Sequence, residues 1–589
     1  MDDGLDTDTR SRAVAAALGN EAFDLILTGG TVVDVGTGEL RAADVGVVGP
    51  IVASVHEPGS RTDADDSFDC SGRFVAPGLI DMHVHFESSM LTPGPYAEVV
   101  CPRGTTTVFI DPHELANIAG VEGVRYAADA SRGLPVRFVV QAPSCVPPMP
   151  GLELSGHDLF AADIAEMLSW DEVGGLAEVM DMGGVLSRDD RMVDIVAAGH
   201  DSGKLVSGHA AGLTGRTLQA YLSAGIFSDH EVFAHVDAME KLRAGMTVEL
   251  RGAFDFVLPA LVEELAALPE FPTHLIAATD DLFALTLIEE GGIDDVLRRL
   301  IRYGLSPVRA LRIATYNAAY RLQRTDLGQV AAGRRADIIV LSSLDDVAVD
   351  DVFYNGRRVA HGGVMLEPVV EAPSSPPLDT IRLSAMHADD FVLRLPDVPD
   401  GHHRVKVVDG VVMTEWGEVD VEVTDGVVKI PDGHMVNVVV HRHGRIEPTP
   451  VAWLLGGWGD WTGAVATTLS HDTHNLAVFG RDPEDMAVAA NAVIASGGGV
   501  AVAAAGEVVS LLELPVAGIL SPRPAAEVAR LQSDVQAAAE AIGLPPGPLT
   551  QPLFSVMLMS LACLTGPHVT DIGVVDGTLG ELVDDLVLH

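Results

Sequence analysis

The chain has 589 residues, of which 48% are hydrophobic, and a formal net charge of −47 at pH 7. This length and apolar content predict two or more folded domains and exclude a disordered chain. The negative charge argues against binding to nucleic-acid backbones, and no apolar run is long enough to span a membrane. Because no cationic segment precedes an apolar run at the N-terminus, we expect no signal peptide and a cytoplasmic protein.

The acidic residues greatly outnumber the basic ones, and lysine is especially rare. Only four residues are lysine, at positions 204, 241, 406 and 429. An acidic, lysine-poor surface is typical of proteins that stay soluble in high salt, where charge repulsion is screened, so we expect a halophilic protein. The four cysteines, at positions 70, 101, 145 and 563, are too few and too scattered for a disulfide framework or a cysteine-based zinc site.

The first part of the chain predicts a small β-layer. Residues 1–22 form a polar N-terminal extension with one short predicted helix. Strands separated by turn residues are predicted at 25–27, 30–34, 44–48, 336–341 and 352–366. The last two lie far along the chain, and we expect them to rejoin the first three. The result is a predicted β-sandwich built from residues 23–76 and 325–370.

Between residues 77 and 324, short apolar runs alternate with helical patterns. The runs predict eight strands, at 79–84, 105–110, 136–141, 175–180, 205–209, 225–229, 246–250 and 274–279. The clearest helical patterns are at 188–202, 214–224, 235–244 and 281–302. Eight β/α repeats predict a TIM (β/α)8 barrel, with a doubly wound sheet as the alternative. A linker rich in Pro, Ser and Glu, residues 367–377, leads to a predicted C-terminal α+β domain at 378–589.

Side chains that bind divalent metals stand at the ends of five predicted barrel strands. His83 and His85 share one face of the first strand because side chains alternate along a strand. The other candidates are Glu178, His209, His230 and Asp280, at the ends of strands four, five, six and eight. One such histidine alone is more often structural, but six residues of this kind would rarely coincide by chance. Since barrel active sites lie at these strand ends, the set predicts two divalent metals with a shared bridging ligand.

Several short stretches resemble a known family. The stretch Pro77–His85 is general to the amidohydrolase superfamily of metal-dependent barrels with a flanking β-sandwich. The stretches Glu87-Ser88-Ser89-Met90 and Asp111-Pro112-His113-Glu114 are much more specific and resemble the bacterial and archaeal adenine deaminases. The C-terminal stretches 470–475 (SHDTHN) and 514–518 (LPVAG) resemble the same family. The resemblance therefore extends over nearly the whole chain.

The resemblance implies an assignment of the metal ligands. One metal would be bound by His83, His85 and Asp280, and the other by His209 and His230. Glu178 would bridge them, where many relatives use a carboxylated lysine; Lys204 lies at the start of its strand and is a poor candidate for that role. The family favours Mn²⁺ or Fe²⁺, and these ligands also permit Zn²⁺.

The activity that the resemblance implies is hydrolytic deamination of adenine to hypoxanthine and ammonia, in purine salvage, by a metal-activated hydroxide. Asp280 is a plausible general base. Protonation of the purine ring at N1 requires an acid, ideally of raised pKa, for which Glu87, Glu114 and Glu231 are the candidates; the sequence does not choose among them. Ser88 and His113 are the candidates for contact with the substrate.

Other interpretations stay open at this point. The chain could be another amidohydrolase, such as a cyclic-amide hydrolase or a guanine deaminase, or a non-catalytic scaffold with the same fold. The partners expected are adenine, water and further copies of the chain in a homo-oligomer. The cluster of His471, Asp472 and His474 either caps the active site, binds an extra metal or forms a satisfied turn network, and His441 and His443 pose the same question.

Overall fold

The computed structural model describes residues 5–411, 413–545 and 552–588. Its first part consists of one helix and five strands: α1 (Thr7–Ala17), β1 (Phe23–Asp34), β2 (Glu39–Val48), β3 (Ile51–His56), β4 (Ala64–Asp69) and β5 (Phe74–Pro77). Two of the predicted strands, 25–27 and 30–34, are one continuous strand, so their separation was wrong. The glycines between them form a β-bulge rather than a turn, and the backbone amide of Gly29, at φ +70°, donates to Asp44 across the sheet.

The barrel region follows, with its strands and helices in alternation. The strands are β6 (Leu79–His85), β7 (Thr105–Ile110), β8 (Arg137–Ala142), β9 (Val173–Val179), β10 (Leu205–Gly208), β11 (Ser228–Asp229), β12 (Thr247–Arg251), β13 (Leu275–Ala278) and β14 (Asp280–Asp281). The helices are α2 (Pro93–Val100), α3 (His113–Ala130), α4 (Ala161–Leu168), α5 (Met182–Ser187), α6 (Asp190–Asp201), α7 (Gly215–Ser223), α8 (His235–Arg243), α9 (Leu258–Ala267), α10 (Ala284–Glu289), α11 (Ile293–Arg302), α12 (Pro307–Ile313) and α13 (Tyr316–Arg321). Each of the eight predicted strands overlaps a strand of the structure, although the sixth, predicted at 225–229, is only the two-residue strand β11.

The barrel strands pair in parallel. One sheet has the order β10-β9-β8-β7-β6-β14 and a second has the order β11-β12-β13. The chain closes the ring on one side because β14 follows β13 directly and pairs with β6, with Asp280 opposite Val84. On the other side, side chains join β10 to β11: the amide of Gly208 donates to Ser228 Oγ, and that of Ala210 donates to Asp229 Oδ1. All residues of β6 are buried, as expected of a strand covered on both faces.

One predicted helix of the barrel is divided into two in the structure, so that prediction was wrong. The pattern at 281–302 predicts a single helix, but the structure has two, α10 and α11. Gly291 and Gly292 lie between them, and Gly291 adopts φ +125°, a conformation that is available to glycine and strained for other residues. The apolar spacing continues across this break, which is why periodicity alone does not reveal it.

After the barrel, four strands return to the N-terminal layer: β15 (Ile338–Ser343), β16 (Ala348–Tyr354), β17 (Arg357–His361) and β18 (Val364–Met365). β15 pairs antiparallel with β5, which confirms the predicted return. The nine strands form the order β18-β17-β16-β15-β5-β1-β2-β3, with β4 paired to β1. Apolar side chains from both halves of this layer share one core, among them Val45, Val75, Ile338 and Phe353.

The C-terminal region consists of further strands and three helices. The strands are β19 (Gly401–Asp409), β20 (Glu415–Thr424), β21 (Val427–Lys429), β22 (His434–Val440), β23 (Val451–Gly456), β24 (Ala464–Thr467), β25 (Leu476–Gly480), β26 (Gly499–Ala504), β27 (Glu507–Glu513), β28 (Pro567–Val569), β29 (Val574–Asp576), β30 (Glu581–Leu582) and β31 (Val587–Leu588). The helices are α14 (Pro483–Ser496), α15 (Ala525–Ile542) and α16 (Pro552–Leu558). Ten strands form one sheet and three form another, which confirms the α+β class. Within the described part of the chain, no helix has the length and apolar character needed to cross a membrane.

Histidine 443 in this region gives a pH-dependent contribution to stability. Burial disfavours the charged ring and holds the pKa of His443 well below its usual value. Above a pH of about 6.5, the ordinary pKa of histidine, this group is neutral in both the folded and the unfolded chain. As the pH falls below that value only the unfolded chain takes up the proton, so the free energy of unfolding decreases by up to about 1.4 kcal/mol per pH unit.

We therefore expect a His443→Gln variant to lose less stability on acidification than the parent chain. The amide of Gln can still donate to the carbonyl of Thr473, which His443 Nε2 contacts at 2.7 Å. The measurement is the Tm of both proteins at intervals between about pH 7.5 and about pH 5.5, the range that spans the histidine titration. Parallel Tm curves would contradict the expectation.

Candidate metal centre and active site

Two histidines and one aspartate meet at the closed side of the barrel. The Nε2 atoms of His83 and His85 lie 3.2 and 3.1 Å from Oδ1 of Asp280, which β14 places beside the end of β6. His85 Nδ1 lies 3.0 Å from the backbone carbonyl of Asp111, to which it can only donate. That bond leaves Nε2 of His85 as the free nitrogen directed at Asp280, the arrangement found in most metal-binding histidines.

Glu178, at the end of β9, lies at the centre of the group. Its Oε1 is 3.1 Å from His85 Nε2 and 3.6 Å from His83 Nε2. Its Oε2 is 2.8 Å from His209 Nδ1 and 3.2 Å from His230 Nε2. One carboxylate oxygen therefore faces the first pair of histidines and the other faces the second pair, which is the geometry of a bridging ligand.

Lysine 204 takes no part in this group. Its ammonium donates to the carbonyls of Trp170 and Val173, at the opposite end of β9 from Glu178. Lys204 is therefore directed away from the group, and Glu178 is the carboxylate that faces both pairs of histidines.

The six side chains fit divalent cations. They are four imidazoles and two carboxylates, all buried except His209, whose side chain is 20% exposed. Although burial opposes the charge, hydrogen bonds to Asp280 and Glu178 raise the pKa of His83 to about 10, and the bond to Glu178 raises that of His209 to about 9. The raised pKa values of these buried histidines show that the site has a negative electrostatic potential, which favours a bound cation. Its mixed nitrogen and oxygen donors are the ligand types that first-row divalent metals prefer.

Arginine 251 is a member of the site that the sequence interpretation missed. It is buried at the end of β12, and its guanidinium contacts both Glu231 and Asp280. Burial opposes ionisation of Asp280, but the charge of Arg251 and the bonds from the histidines hold its pKa well below the usual range. The sequence interpretation considered only metal-binding residue types at the strand ends, and arginine is not one of them, so Arg251 was not included.

The three candidate acids have different surroundings. Glu231 forms an ion pair with Arg251. Glu87 and Glu114 are both buried, and burial raises the pKa of each; the negative charge of Glu114 raises that of Glu87 further. The hydroxyl of Ser88 lies 3.1 Å from Glu114 Oε1 and 2.5 Å from Asp281 Oδ1, so it links this pair to the neighbour of Asp280.

Histidine 113 lies between the barrel and the C-terminal region. Its Nδ1 is 3.3 Å from Oδ2 of Asp111 and 3.6 Å from Oε1 of Glu178, and its Nε2 is 3.9 Å from Oδ1 of Asp472. The structure thus brings His113 beside the central carboxylate. Asp111, which follows β7 directly, was missed as a site residue although it too stands at a strand end.

The C-terminal region closes the mouth of the barrel. His471 Nδ1 lies 3.4 Å from Oε1 of Glu114, and Asp472 faces His113. Nε2 of His471 and Oδ2 of Asp472 are buried, and neither has a hydrogen-bond partner among the described residues. His441 and His443 lie apart from the site, bonded to Asp571 and to the Thr473 carbonyl.

A cavity of about 450 Å³ lies beside the site. Its lining includes Arg251, Thr279 and Asp281 and four aromatic rings, Phe254, Phe256, Phe283 and Phe554, together with glycines and further charged side chains such as Glu290 and Arg299. Its volume and its mostly apolar lining with a few charged groups are typical of a pocket for a small organic molecule.

Comparison with known proteins agrees with this arrangement. Residues 74–359 match the amidohydrolase family, and residues 411–581 match the adenine deaminase C-terminal domain. The chain is 51% identical over 98% of its length to "Adenine deaminase" of Klebsiella pneumoniae (strain 342), covering 96% of that protein. It is also 51% identical to "Adenine deaminase 2" of Rhizobium meliloti (strain 1021), covering 98% of this chain and 97% of that one. With such identity over nearly the full length, the chain belongs to the adenine deaminase family of the metal-dependent amidohydrolases.

Proposed function

We propose that this protein hydrolyses adenine to hypoxanthine and ammonia, a reaction that serves purine salvage. The observation that carries the proposal is the buried group around Glu178, in which each carboxylate oxygen faces its own pair of histidines. The names of the full-length relatives, at about half identity, support adenine as the substrate.

The cofactor proposed is a pair of divalent cations, Mn²⁺ or Fe²⁺ in preference to Zn²⁺. One would be held by His83, His85 and Asp280, the other by His209 and His230, with Glu178 shared. When bound, the cations would lower the pKa of a water molecule toward about 7, which makes hydroxide available at neutral pH.

The side chains around this water would move its protons. Arg251 keeps Asp280 ionised, so Asp280 can accept a proton from the attacking water and deliver it to the departing amine. The ring nitrogen N1 must gain a proton as C6 is attacked, and the buried pair of Glu87 and Glu114 suits this role because burial raises the pKa of each carboxyl group and so favours the protonated form that can donate. Glu231, paired with Arg251, suits it less.

The contacts to the substrate follow from the same geometry. Ser88 lies beside Glu114 and His113 lies beside Glu178, so a purine ring bound between the acids and the central carboxylate would contact both. The aromatic cavity beside Arg251 would serve as the access route.

A panel of substrates tests the proposed function. Ammonia release would be measured with the metal-loaded protein and adenine, guanine or cytosine, and ring opening with cyclic amides such as dihydroorotate. We expect turnover of adenine to exceed that of every other compound. Faster turnover of guanine would identify a different deaminase, faster ring opening would identify a cyclic-amide hydrolase, and no turnover with any compound would favour a scaffold.

The charge of the chain leads to a prediction about salt. A net charge of −47 causes self-repulsion that is least screened at low ionic strength, where the Debye length reaches about 30 Å at 0.01 M. We therefore expect the Tm to rise as KCl increases from about 0.01 M to about 1 M, where that length falls to about 3 Å. This behaviour would support the proposed adaptation to a saline environment, and a Tm that is flat or falls with salt would contradict it.

A further inference from the structure

A second group of metal-ligand side chains lies where the C-terminal region meets the barrel. We call it the junction cluster: Glu114, at the start of α3, and His471 and His474, in the loop between β24 and β25. All three side chains are buried, and one ligand atom from each lies within 4.8 Å of the others. None of the three belongs to the set of six ligands around Glu178.

Histidine 474 has a fixed orientation and one free nitrogen. Its Nδ1 lies 3.1 Å from the backbone carbonyl of Thr468, to which it can only donate. Its Nε2 is buried, makes no hydrogen bond and lies 4.0 Å from Oε2 of Glu114. That distance is too long for a hydrogen bond, but a cation about 2.1 Å from each atom fits between them.

The same arrangement occurs at His85 in the proposed binuclear centre. There too, Nδ1 is engaged by a backbone carbonyl and Nε2 is directed at a carboxylate. A bond of this kind orients a histidine for a metal and increases the basicity of the coordinating nitrogen. His471 completes the junction cluster, with Nδ1 3.4 Å from Oε1 of Glu114, close to the spacing of two ligands around one tetrahedral ion.

We propose that Glu114, His471 and His474 bind a third divalent cation, separate from the two around Glu178. Two imidazoles and one carboxylate form a ligand set suited to Mn²⁺, Fe²⁺ or Zn²⁺. Because one ligand comes from the barrel and two from the C-terminal region, this ion ties the two parts together over the mouth of the site. It also makes Glu114 a ligand, which leaves Glu87 as the buried candidate acid.

The test is the metal content of the full-length protein after reconstitution with Mn²⁺ and removal of unbound metal. We expect three ions per chain in the parent protein and two in a His474→Gln variant. His568→Gln is the matched control, since His568 also bonds a backbone carbonyl through Nδ1 and has a buried, unpartnered Nε2, but lies outside every candidate ligand group of the described residues. The control is expected to retain three ions.

Anomalous scattering at the manganese edge from crystals of the parent protein gives an independent reading that does not depend on the folding of any variant. A peak between Glu114 and His474 is expected, in addition to two beside Glu178. Two ions per chain and no peak at the junction cluster would overturn the proposal.

Adenine turnover is measured separately: an inactive protein with three ions would contradict the proposed function alone, and an active protein with two ions would contradict the third site alone.

Discussion

Replacing Glu178 with Gln is expected to lower kcat/KM for adenine by about 10²-fold or more while the fold is retained. The carboxylate presents one oxygen to His85 and the other to His209. The Gln amide offers a single neutral oxygen, and its NH₂ group would face one of the histidine pairs without being able to coordinate a cation. The loss of a shared ligand therefore weakens both proposed metal sites at once.

The measurement combines steady-state kinetics, metal content and circular dichroism. Glu172→Gln is a suitable control because Glu172 stands at the other end of the same strand, where it bonds Arg132 at 2.6 Å and contacts none of the site residues. The control is expected to retain the parent rate. If Glu178→Gln retained both the metal content and the rate of the parent, the bridging assignment would be wrong.

Adenosine is expected to be turned over at least about 10³-fold less efficiently than adenine, a difference of about 4 kcal/mol in the transition state. The C-terminal region lies directly over the site, with Asp472 3.9 Å from His113 and His471 3.4 Å from Glu114. A planar base can lie beneath this cover, whereas a ribose at N9 would overlap with it. Steric overlap is penalised more steeply than a missing contact, so the discrimination can exceed the 1–3 kcal/mol typical of one methylene.

The measurement is kcat/KM for both compounds with the same preparation of protein. Comparable values would contradict the prediction, and would indicate that the ribose lies in the aromatic cavity beside Arg251 and Asp281 instead of against the C-terminal region.

The sequence was most informative where metal-binding side chains lie on or at the end of a predicted strand, because the alternation of side chains along a strand fixes which face they share. His83 and His85 could be placed on one face because strand side chains alternate, and Glu178 could be placed near them because parallel strands of a barrel end at one rim. The distances agree with this inference, since four predicted histidine ligands face Glu178 and two of them also face Asp280. The same rule would also have included Asp111, which follows the second strand directly, but not Arg251, because an arginine does not coordinate metals.

Other features could not be predicted from local patterns. The contact between His471 and Glu114 joins segments that are distant in the sequence, and the spacing of apolar residues does not predict such contacts. The different environments of Glu87, Glu114 and Glu231 depend on burial and on Arg251, which are properties of the folded chain. Glycines lie both at the bulge in β1 and at the break between α10 and α11. Because glycine is compatible with a bulge, a turn or a helix end, its presence does not predict which of these forms.

The most direct test of the account is the turnover of adenine by metal-free protein before and after Mn²⁺ or Fe²⁺ is added back. We expect the metal-free chain to release ammonia at least about 10²-fold more slowly than the reconstituted one, because the proposed mechanism depends on hydroxide formed at cations that the residues around Glu178 would hold. Full activity of the metal-free chain, or no adenine turnover after the metal has bound, would contradict the account.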